Sequence, residues 1–318
     1  MAPRGGGQGP EMTVKGAVAD PTVIGNAVQP PFIRLPDTTT LFERRAGRLR
    51  TLAQGSDIGD YLTFIEALTR AQSKAITELP AGTLPGSGDI AFCHDNKLPL
   101  IDRLTWRRDA SWLAALDLVL DAMGRAAMPE AARAALDGLR FMDSAGRDAC
   151  ADRVLGIDSA AAEPALGCFV SAALQVYWSR MAALLEPKAV QPVESPVACP
   201  VCGSPPLISL VYAEGNLQAV RFLCCPLCAS QWYYVRIKCA NCTSTKGIAY
   251  HHVAEQAAAI KAETCDECGT YTKIVYMDKA PGADPFADDL ATLGLDILVG
   301  EAGWARANPH PFLMPGTG

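Results

Sequence analysis

Eight cysteines in the C-terminal half of the 318-residue chain form four CxxC pairs, and their spacing constrains the fold more than any other feature. The pairs fall into two sets offset by forty residues, and in each set 22 residues separate one pair from the next. Two residues between cysteines let one tight turn present both thiolates to the same metal ion, and two facing turns complete a tetrahedron. A repeat at a fixed offset predicts duplication of one structural unit. The eight candidate ligands are Cys199, Cys202, Cys225, Cys228, Cys239, Cys242, Cys265 and Cys268.

The four pairs can share two ions in three ways. Consecutive pairing, Cys199/Cys202 with Cys225/Cys228 and Cys239/Cys242 with Cys265/Cys268, gives each repeated unit its own ion and is the arrangement we expect. A crossed arrangement (first pair with third, second with fourth) and a nested one (second with third, first with fourth) remain open. Sulfur-only tetrahedral sites suit zinc or a single rubredoxin-type iron. The predicted cofactors are therefore two metal ions, iron or zinc, one per four-cysteine site.

Composition places the chain among globular proteins of a reducing compartment. Hydrophobic residues make up 49% and charged residues 19% of the sequence, which is enough apolar content for a sizeable core. Twelve cysteines without a recognisable export signal favour the cytoplasm, where thiolates remain reduced. Residues 1–31 are rich in glycine and proline and are predicted to be a disordered tail. Gln175 and Arg180 interrupt the longest apolar segment, about 165–185, so we expect no membrane insertion.

Residues 32–185 have the periodicity of a helical domain. Thr40 and Glu43 are spaced as a capping box before a first helix, and Asp57 is placed to cap a second helix with a long apolar stripe. Residues 80–99, with their prolines and glycines, read as a long loop. Further helices are predicted at about 109–123, 129–141, 145–155 and 164–185.

The rest of the chain divides at the cysteines. Residues 186–198 carry three prolines and are predicted to be a linker. It is followed by a first four-cysteine module at 199–238, a second at 239–280, and a C-terminal helix and tail at 281–318. The predicted fold class is α+β: an N-terminal all-helical domain followed by two tandem rubredoxin-like or zinc-ribbon modules and a C-terminal helix. Strand-like stretches are 207–212 and 217–223 around a turn at 214–216, 232–238 linking the modules, 248–252 and 272–277, while 253–262 is ambiguous.

The remaining cysteines and histidines are weaker candidates for a site. Cys224 is next to Cys225, and adjacent strand residues point to opposite sides, so we expect a buried thiol outside the cluster. Cys93 and His94 lack a second pair nearby, which favours a loop role over metal binding. Arg221, just before the second CxxC pair, is predicted to offset the negative charge of the thiolates.

Two large function classes are disfavoured. The sequence contains no GxxxxGK[ST], GxGxxG after a strand, HExxH or GxSxG, so a conventional enzyme is not expected. Residues 199–278 hold six Lys/Arg and six Asp/Glu, and the whole chain carries a net charge of −6. Four thiolates around a divalent ion add about two negative charges per site. Phosphate would be repelled, so nucleic-acid binding is not expected.

Several segments together resemble one protein family. The sequence RFLCCPLCASQWYYVRIKCANC at 221–242, flanked by CPVCG at 199 and CDECG at 265, is similar to the formate dehydrogenase accessory protein family, FdhE. LFERRAGRLRTLA and DYLTFIEALTRAQ resemble the opening helices of that family, and DDLATLGLDILVGEAGWARANPHPFL resembles its C-terminal end. The resemblance covers about residues 35–313. Cys224 and the glycine-rich N-terminal extension are the departures from it.

The resemblance implies a cytoplasmic maturation factor with no enzymatic activity of its own. Its implied partner is the catalytic subunit of a respiratory formate dehydrogenase, bound before export, and its implied metal ligands are the eight cysteines named above. Trp232 and Arg236 are four residues apart, so they lie on the same face of the linking strand. They are predicted to form an aromatic and cationic patch for that partner. The alternative function is a rubredoxin-type iron electron carrier. The oligomeric state is left open.

Overall fold

The computed structural model describes residues 12–14, 30–80, 82–160, 162–214, 217–253 and 259–313. Most of the predicted tail, 1–31, lies outside these ranges; within it the structure describes strand β1 (Met12–Val14) and residues 30–31. The centre of the predicted turn at 215–216 also lies outside them. The described residues combine an N-terminal group of helices with one mixed sheet that carries both cysteine sets. The predicted α+β class is confirmed.

Seven helices precede the cysteine units in the described part of the chain. The four helices predicted between residues 109 and 185 are present with bounds that agree within about two residues. Three of them have an apolar stripe or a mostly apolar sequence, whereas the helix at 144–155 buries only Ala151 and Leu155. The helices are α1 (Leu41–Ala53), α2 (Gly59–Glu78), α3 (Ser87–Asp95), α4 (Ser111–Met123), α5 (Glu130–Phe141), α6 (Ser144–Leu155) and α7 (Pro164–Ala183).

Helix α7 is the centre of the helical layer and is buried on almost every side. It contacts α2, α4, α5 and α6, which explains why its sequence is apolar all round. Two of its polar side chains are paired inside the core: Gln175 accepts a hydrogen bond from Gln72 at 2.8 Å, and the Trp178 indole N–H donates to the Ile101 carbonyl at 3.0 Å. These bonds permit polar groups to remain in a dry core without the cost of an unpaired donor.

The predicted helix caps are wrong. The Thr40 side chain does not cap α1; its hydroxyl donates to Asp37, whose carboxylate also accepts the Thr39 N–H at 3.0 Å. Asp37 therefore stabilises the exposed turn before the helix through these hydrogen bonds. The residue before α2 is Ile58, not Asp57, and no side chain caps that helix.

The predicted loop at 80–99 contains a helix, α3. Asp89 accepts the Gly86 N–H at 2.9 Å at the start of this helix, which stabilises its first turn. The helix has no buried residue, so its sequence has no apolar stripe from which a helix could be recognised.

The described strands form one nine-stranded sheet. Its order is β1-β6-β7-β8-β3-β4-β5-β2, with β9 beside β8. Neighbours are antiparallel except for the β3–β8 and β8–β9 pairs, which are parallel. The strands after β1 are β2 (Ile33–Arg34), β3 (Ile208–Glu214), β4 (Leu217–Cys224), β5 (Gln231–Tyr233), β6 (Ile248–Val253), β7 (Ile260–Cys265), β8 (Thr270–Tyr276) and β9 (Ala305–Arg306).

The forty-residue repeat appears as two three-stranded antiparallel units. Strands β3, β4 and β5 form the first unit and β6, β7 and β8 form the second, and the two are joined side by side through β3 and β8. In each unit one CxxC turn precedes the first strand and the other connects the second strand to the third. Strand β7 begins in the last three residues of the ambiguous segment 253–262 and continues to Cys265, which the sequence did not predict as a strand. The predicted linking strand at 232–238 is wrong, because β5 ends at Tyr233.

The predicted C-terminal helix is broken into two, α8 (Pro285–Ala291) and α9 (Leu293–Glu301). The break at Thr292 is caused by a tertiary contact. The buried Lys273 ammonium group donates to the carbonyls of Asp289 and Thr292, at 2.7 and 3.1 Å, and so occupies acceptors that a continuous helix would use.

Helix α8 returns the chain to the helical layer. It packs against α1, where Arg45 pairs with Asp284 at 3.2 Å and Arg48 pairs with Asp288 at 2.6 Å. Helices α1 and α8, far apart in the sequence, are therefore tied together. Among the helices of the described residues, none combines the length and apolar character that crossing a bilayer requires.

Candidate metal centres

The first four-cysteine cluster brings together Cys199, Cys202, Cys225 and Cys228. Their sulfur atoms lie within 4.8 Å of one another, with 3.6 Å between Cys199 and Cys228 and 3.3 Å between Cys202 and Cys225. A disulfide would require about 2.05 Å. Four sulfurs at about 2.3 Å from a central ion are separated by about 3.8 Å in a tetrahedron, so the spacing fits a single ion.

The second cluster is built in the same way from Cys239, Cys242, Cys265 and Cys268. The Cys239 and Cys268 sulfurs are 3.8 Å apart, and those of Cys242 and Cys265 are 3.7 Å apart. The structure thus groups the cysteines by consecutive pairing and separates the sets that the crossed and nested arrangements require. The same four-sulfur donor set suits zinc and a rubredoxin-type iron.

All four CxxC turns share one backbone feature. The residue after the second cysteine has a positive φ: +71° at Gly203, +58° at Ala229, +65° at Thr243 and +65° at Gly269. This left-handed residue reverses the chain so that both thiols of the turn face the same point. In three turns the amide of this residue donates to the carbonyl of the first cysteine, as from Gly203 to Cys199 at 2.8 Å.

A hydroxyl residue follows each left-handed residue, and sequence reasoning missed this pattern. All four turns read CxxCx[ST], with Ser204, Ser230, Ser244 and Thr270 at the last position. Three of these hydroxyls lie against the sulfur of the second cysteine of their own turn, at 3.3 Å for Ser204, 3.2 Å for Ser230 and 3.1 Å for Thr270. Such hydroxyls stabilise a thiolate, and the fourfold recurrence was visible in the sequence.

Backbone donors also point at the sulfurs. The amides of Leu227 and Cys228 each lie 3.4 Å from the Cys225 sulfur, and those of Asn241 and Cys242 lie 3.3 and 3.4 Å from the Cys239 sulfur. N–H donors of this kind favour the ionised form that binds metals.

The pKa shifts of two cysteines agree with this preference for the thiolate. Burial opposes ionisation of Cys225, but the other three cysteines of its cluster and the Cys228 N–H hold its pKa well below the usual range. Burial also opposes ionisation of Cys268, and the Thr270 hydroxyl and N–H lower its pKa to about 7. Burial raises the pKa of Cys199 and Cys228 in the first cluster and of Cys239 and Cys265 in the second, so these thiols ionise less readily than Cys225 and Cys268 and need the charge of a cation. The residues present fit one cation in each cluster.

The two clusters differ in their surroundings. The cysteines of the first cluster are at most 3% exposed and belong to the same hydrophobic core as the helices. Its turns are fastened to the helical layer: the amides of Ile101 and Arg103 donate to the carbonyls of Val201 and Cys202, and the Gln175 side chain donates to the Pro226 carbonyl at 2.8 Å. In the second cluster Cys242 is exposed and Cys268 is half-buried.

Arg221 does not serve the thiolates as predicted. It is fully buried and pairs with Glu263 at 2.8 Å, across the two units. Its guanidinium also donates to the carbonyls of Arg236 and Lys238, just before Cys239. Its role is to hold the link between the units, because a buried carboxylate and two carbonyls occupy its donors.

The predicted partner patch of Trp232 and Arg236 does not exist as one exposed face. Trp232 is 2% exposed and its indole N–H donates to the Pro196 carbonyl at 3.2 Å, whereas Arg236 is exposed. Strand alternation does not continue past β5: Trp232 and Tyr234 are buried, and Val235 and Ile237 are exposed beside Arg236, at 53 and 39%, as is Tyr233 at 41%. A role of Arg236 in partner binding stays a prediction.

The weaker candidates lie outside both clusters. Cys224 is buried, with its sulfur 4.0 Å from the Cys225 carbonyl. Cys93 and His94 lie on α3, not in a loop, and the His94 ring contacts the Ala189 carbonyl at 2.7 Å. Burial raises the pKa of the Cys224 thiol, which keeps it protonated and inert.

Comparison with known proteins identifies relatives for the whole described chain. Three family domains match in order: FdhE, N-terminal, at residues 30–195; FdhE, central domain, at 198–236; and FdhE, C-terminal domain, at 237–313. The central and C-terminal domains each contain one complete cysteine cluster.

Relatives align over almost their full length. A "Protein FdhE homolog" from Edwardsiella ictaluri is 40% identical over 283 residues, which covers 89% of this chain and 91% of the relative. One from Stutzerimonas stutzeri is 36% identical over 304 residues, covering 95% and 98%. The crystal structure of the FdhE protein from Pseudomonas aeruginosa matches with a TM-score of 0.82 and 36% identity, over 90% of this chain and 100% of that one. Sequence, domain order and fold agree, and the chain belongs to the FdhE family.

Proposed function

We propose that this protein is a cytoplasmic maturation factor that binds the catalytic subunit of a respiratory formate dehydrogenase before export and supports its assembly or activation. The observation that carries the proposal is the match of all three FdhE domains across residues 30–313, with both cysteine clusters complete. The role itself is the one implied by the resemblance to the formate dehydrogenase accessory proteins.

The eight clustered cysteines would hold two ions, iron or zinc, one in each cluster. An ion bound there supplies a cross-link between two turns that are distant in sequence. The second unit needs this cross-link more than the first, because few of its apolar residues are buried among those described: Ala240 and Val275 join the main core, and a separate small cluster is formed by Ala262, Tyr271, Leu295 and Val299. A core of this size contributes too little to hold the turns, so metal binding and folding of this unit are coupled.

A surface suited to a protein partner lies beside the clusters. Tyr233, Val235 and Ile237 form an exposed apolar row on the segment that joins the two units, and Arg236 adds a positive charge to it. Apolar side chains that a monomer leaves exposed together are a common feature of protein-binding surfaces. We assign the client contact to this row.

A second candidate function is electron transfer by a rubredoxin-type iron. The exposure of Cys242 favours it, because electron exchange requires a cluster close to the surface. The two functions differ in their need for iron: a maturation factor that uses its ions to fold retains activity with redox-silent zinc, and an electron carrier loses it.

The test is an anaerobic capture from the native host with the full chain as bait, followed by metal analysis and a visible spectrum of the same sample. Recovery of the formate dehydrogenase catalytic subunit by the wild type, and its loss with the double variant Cys225→Ser and Cys228→Ser, would support the proposal. The matched control is Cys224→Ser, a buried thiol next to the cluster but outside it. Recovery of nucleic acid or of a reductase without a dehydrogenase subunit would refute the proposal.

A further inference from the structure

We infer that the two clusters have different roles: the second, Cys239, Cys242, Cys265 and Cys268, exchanges its ion with the thiolate of a partner protein through Cys242, whereas the first retains its ion as part of the core. The inference rests on the proposal that both clusters bind an ion. It does not depend on which client the protein serves.

The first observation is the difference in burial. All four cysteines of the first cluster lie inside the main hydrophobic core, at most 3% exposed, and three polar contacts fasten its turns to the helical layer. Release of an ion from this cluster requires part of that core to open. Cys242 is exposed, so a ligand can approach the second cluster in the folded protein. Sites that open only by local unfolding exchange slowly, because the opening free energy is added to the barrier.

The second observation concerns the hydroxyls that support the second cysteine of each turn. Ser204, Ser230 and Thr270 contact the sulfurs of Cys202, Cys228 and Cys268. At the equivalent position of the third turn the Ser244 hydroxyl instead accepts the Lys246 N–H at 3.1 Å. Within the described residues no hydroxyl lies against the Cys242 sulfur, which distinguishes it from its three counterparts.

These two features make Cys242 the ligand that leaves. With an ion held by the four cysteines, a partner cysteine thiolate would form a bond to it as the bond from Cys242 breaks, and Cys242 would leave as a thiolate, so the number of thiolates on the ion would stay the same. The charge of the ion is unchanged, so the step needs neither an oxidant nor a reductant. Asp266 and Glu267, exposed in the neighbouring turn, add negative charge that draws cations to this edge of the molecule.

The experiment uses the full chain loaded with two equivalents of zinc and a chromophoric zinc chelator in excess. We expect one equivalent to be released at least about tenfold faster than the other, since only the first cluster must open its core. Alkylation of the loaded protein with iodoacetamide, followed by peptide mass spectrometry, should label Cys242 before any cysteine of the first cluster.

The matched variants are Cys242→Ser and Cys202→Ser, which occupy equivalent positions in their turns. Cys242→Ser should abolish the fast phase and keep the slow one. Cys202→Ser removes a ligand inside the core and is expected to unfold part of the helical layer. The order of alkylation in the wild-type protein therefore provides a second test, which does not depend on the folding of this variant.

Three results would overturn the inference: release of both equivalents at one rate, survival of the fast phase in Cys242→Ser, or binding of a single equivalent that is released slowly. None of these results requires a client, so their outcome is separate from that of the capture experiment. Conversely, failure to capture a dehydrogenase subunit would leave the biphasic release unchanged.

Discussion

The left-handed residue of each CxxC turn leads to a prediction in which two equivalent glycines respond differently to the same substitution. Gly203 and Gly269 have φ values of +71° and +65° at matching positions of the first and fourth turns. An alanine methyl at position 269 would meet no atom within 4 Å. At position 203 the methyl would overlap the Asp102 carboxylate and lie 3.3 Å from Pro99 Cγ.

The magnitudes follow from these contacts. A non-glycine residue in the left-handed region costs about 1–2 kcal/mol, and alanine recovers about 0.4–1 kcal/mol by restricting the unfolded chain, so Gly269→Ala should destabilise by about 1 kcal/mol. Overpacking adds about 1–3 kcal/mol, which brings Gly203→Ala to about 2–4 kcal/mol. Displacing Asp102 would also weaken the hydrogen bond that its carboxylate accepts from the Leu104 N–H at 2.8 Å.

The assay is thermal unfolding followed by circular dichroism, with the metal concentration held constant because bound metal itself raises the midpoint. At roughly 1.5 °C per kcal/mol for a chain of 318 residues, Gly203→Ala should lower the midpoint more than Gly269→Ala. Ala229→Gly, at φ +58°, provides a control of opposite sign and should leave the midpoint unchanged or raise it. A larger loss for Gly269→Ala than for Gly203→Ala would refute this explanation of the turns.

Three further predictions concern the core and the surface. Lys273→Met should destabilise by about 1–3 kcal/mol and expose the α9 amides to hydrogen exchange, because it leaves the carbonyls of Asp289 and Thr292 without their donor, although Arg306 still pairs with the Asp289 carboxylate; unchanged exchange would contradict this. Burial holds the pKa of His310 well below its usual range, so the folded state keeps it neutral while the unfolded state takes up a proton below about pH 6.5. Stability should therefore fall as the pH drops below that value, and His310→Gln should flatten the dependence of the unfolding midpoint on pH; an equally steep profile would count against it. Val235→Glu should weaken capture of the dehydrogenase subunit without changing the unfolding midpoint, and Ile297→Glu, at an equally exposed apolar site away from the row, should leave capture intact.

The cysteine pattern was the part of the site most open to prediction. Spacing alone favoured consecutive pairing, and the structure groups Cys199 with Cys228 and Cys239 with Cys268 accordingly. The apolar stripes of the helical domain were equally informative, because a helix that buries one face has apolar residues every three to four positions in its sequence. Helix α3 was missed because it buries no residue and leaves no such period.

Tertiary contacts account for the other errors. The helix break at Thr292 depends on Lys273, which is nineteen positions away and whose ammonium group occupies the local carbonyls. The phase of Trp232 could not be read from a segment with large apolar residues on both faces, and it was decided by the pocket around Pro196. The different exposure of the two clusters comes from tertiary packing, which no local spacing encodes: the first cluster lies in the main core with the N-terminal helices, whereas the second unit packs against α9 and leaves Cys242 exposed.

The central claim, that this protein matures a formate dehydrogenase through its metal clusters, is tested most directly by formate dehydrogenase activity in membranes of a host from which its gene has been deleted. The account predicts that activity is lost on deletion and restored by the wild type and by Cys224→Ser, but not by the double variant Cys225→Ser and Cys228→Ser. Full activity in the deletion host, or full restoration by that double variant, would contradict the account.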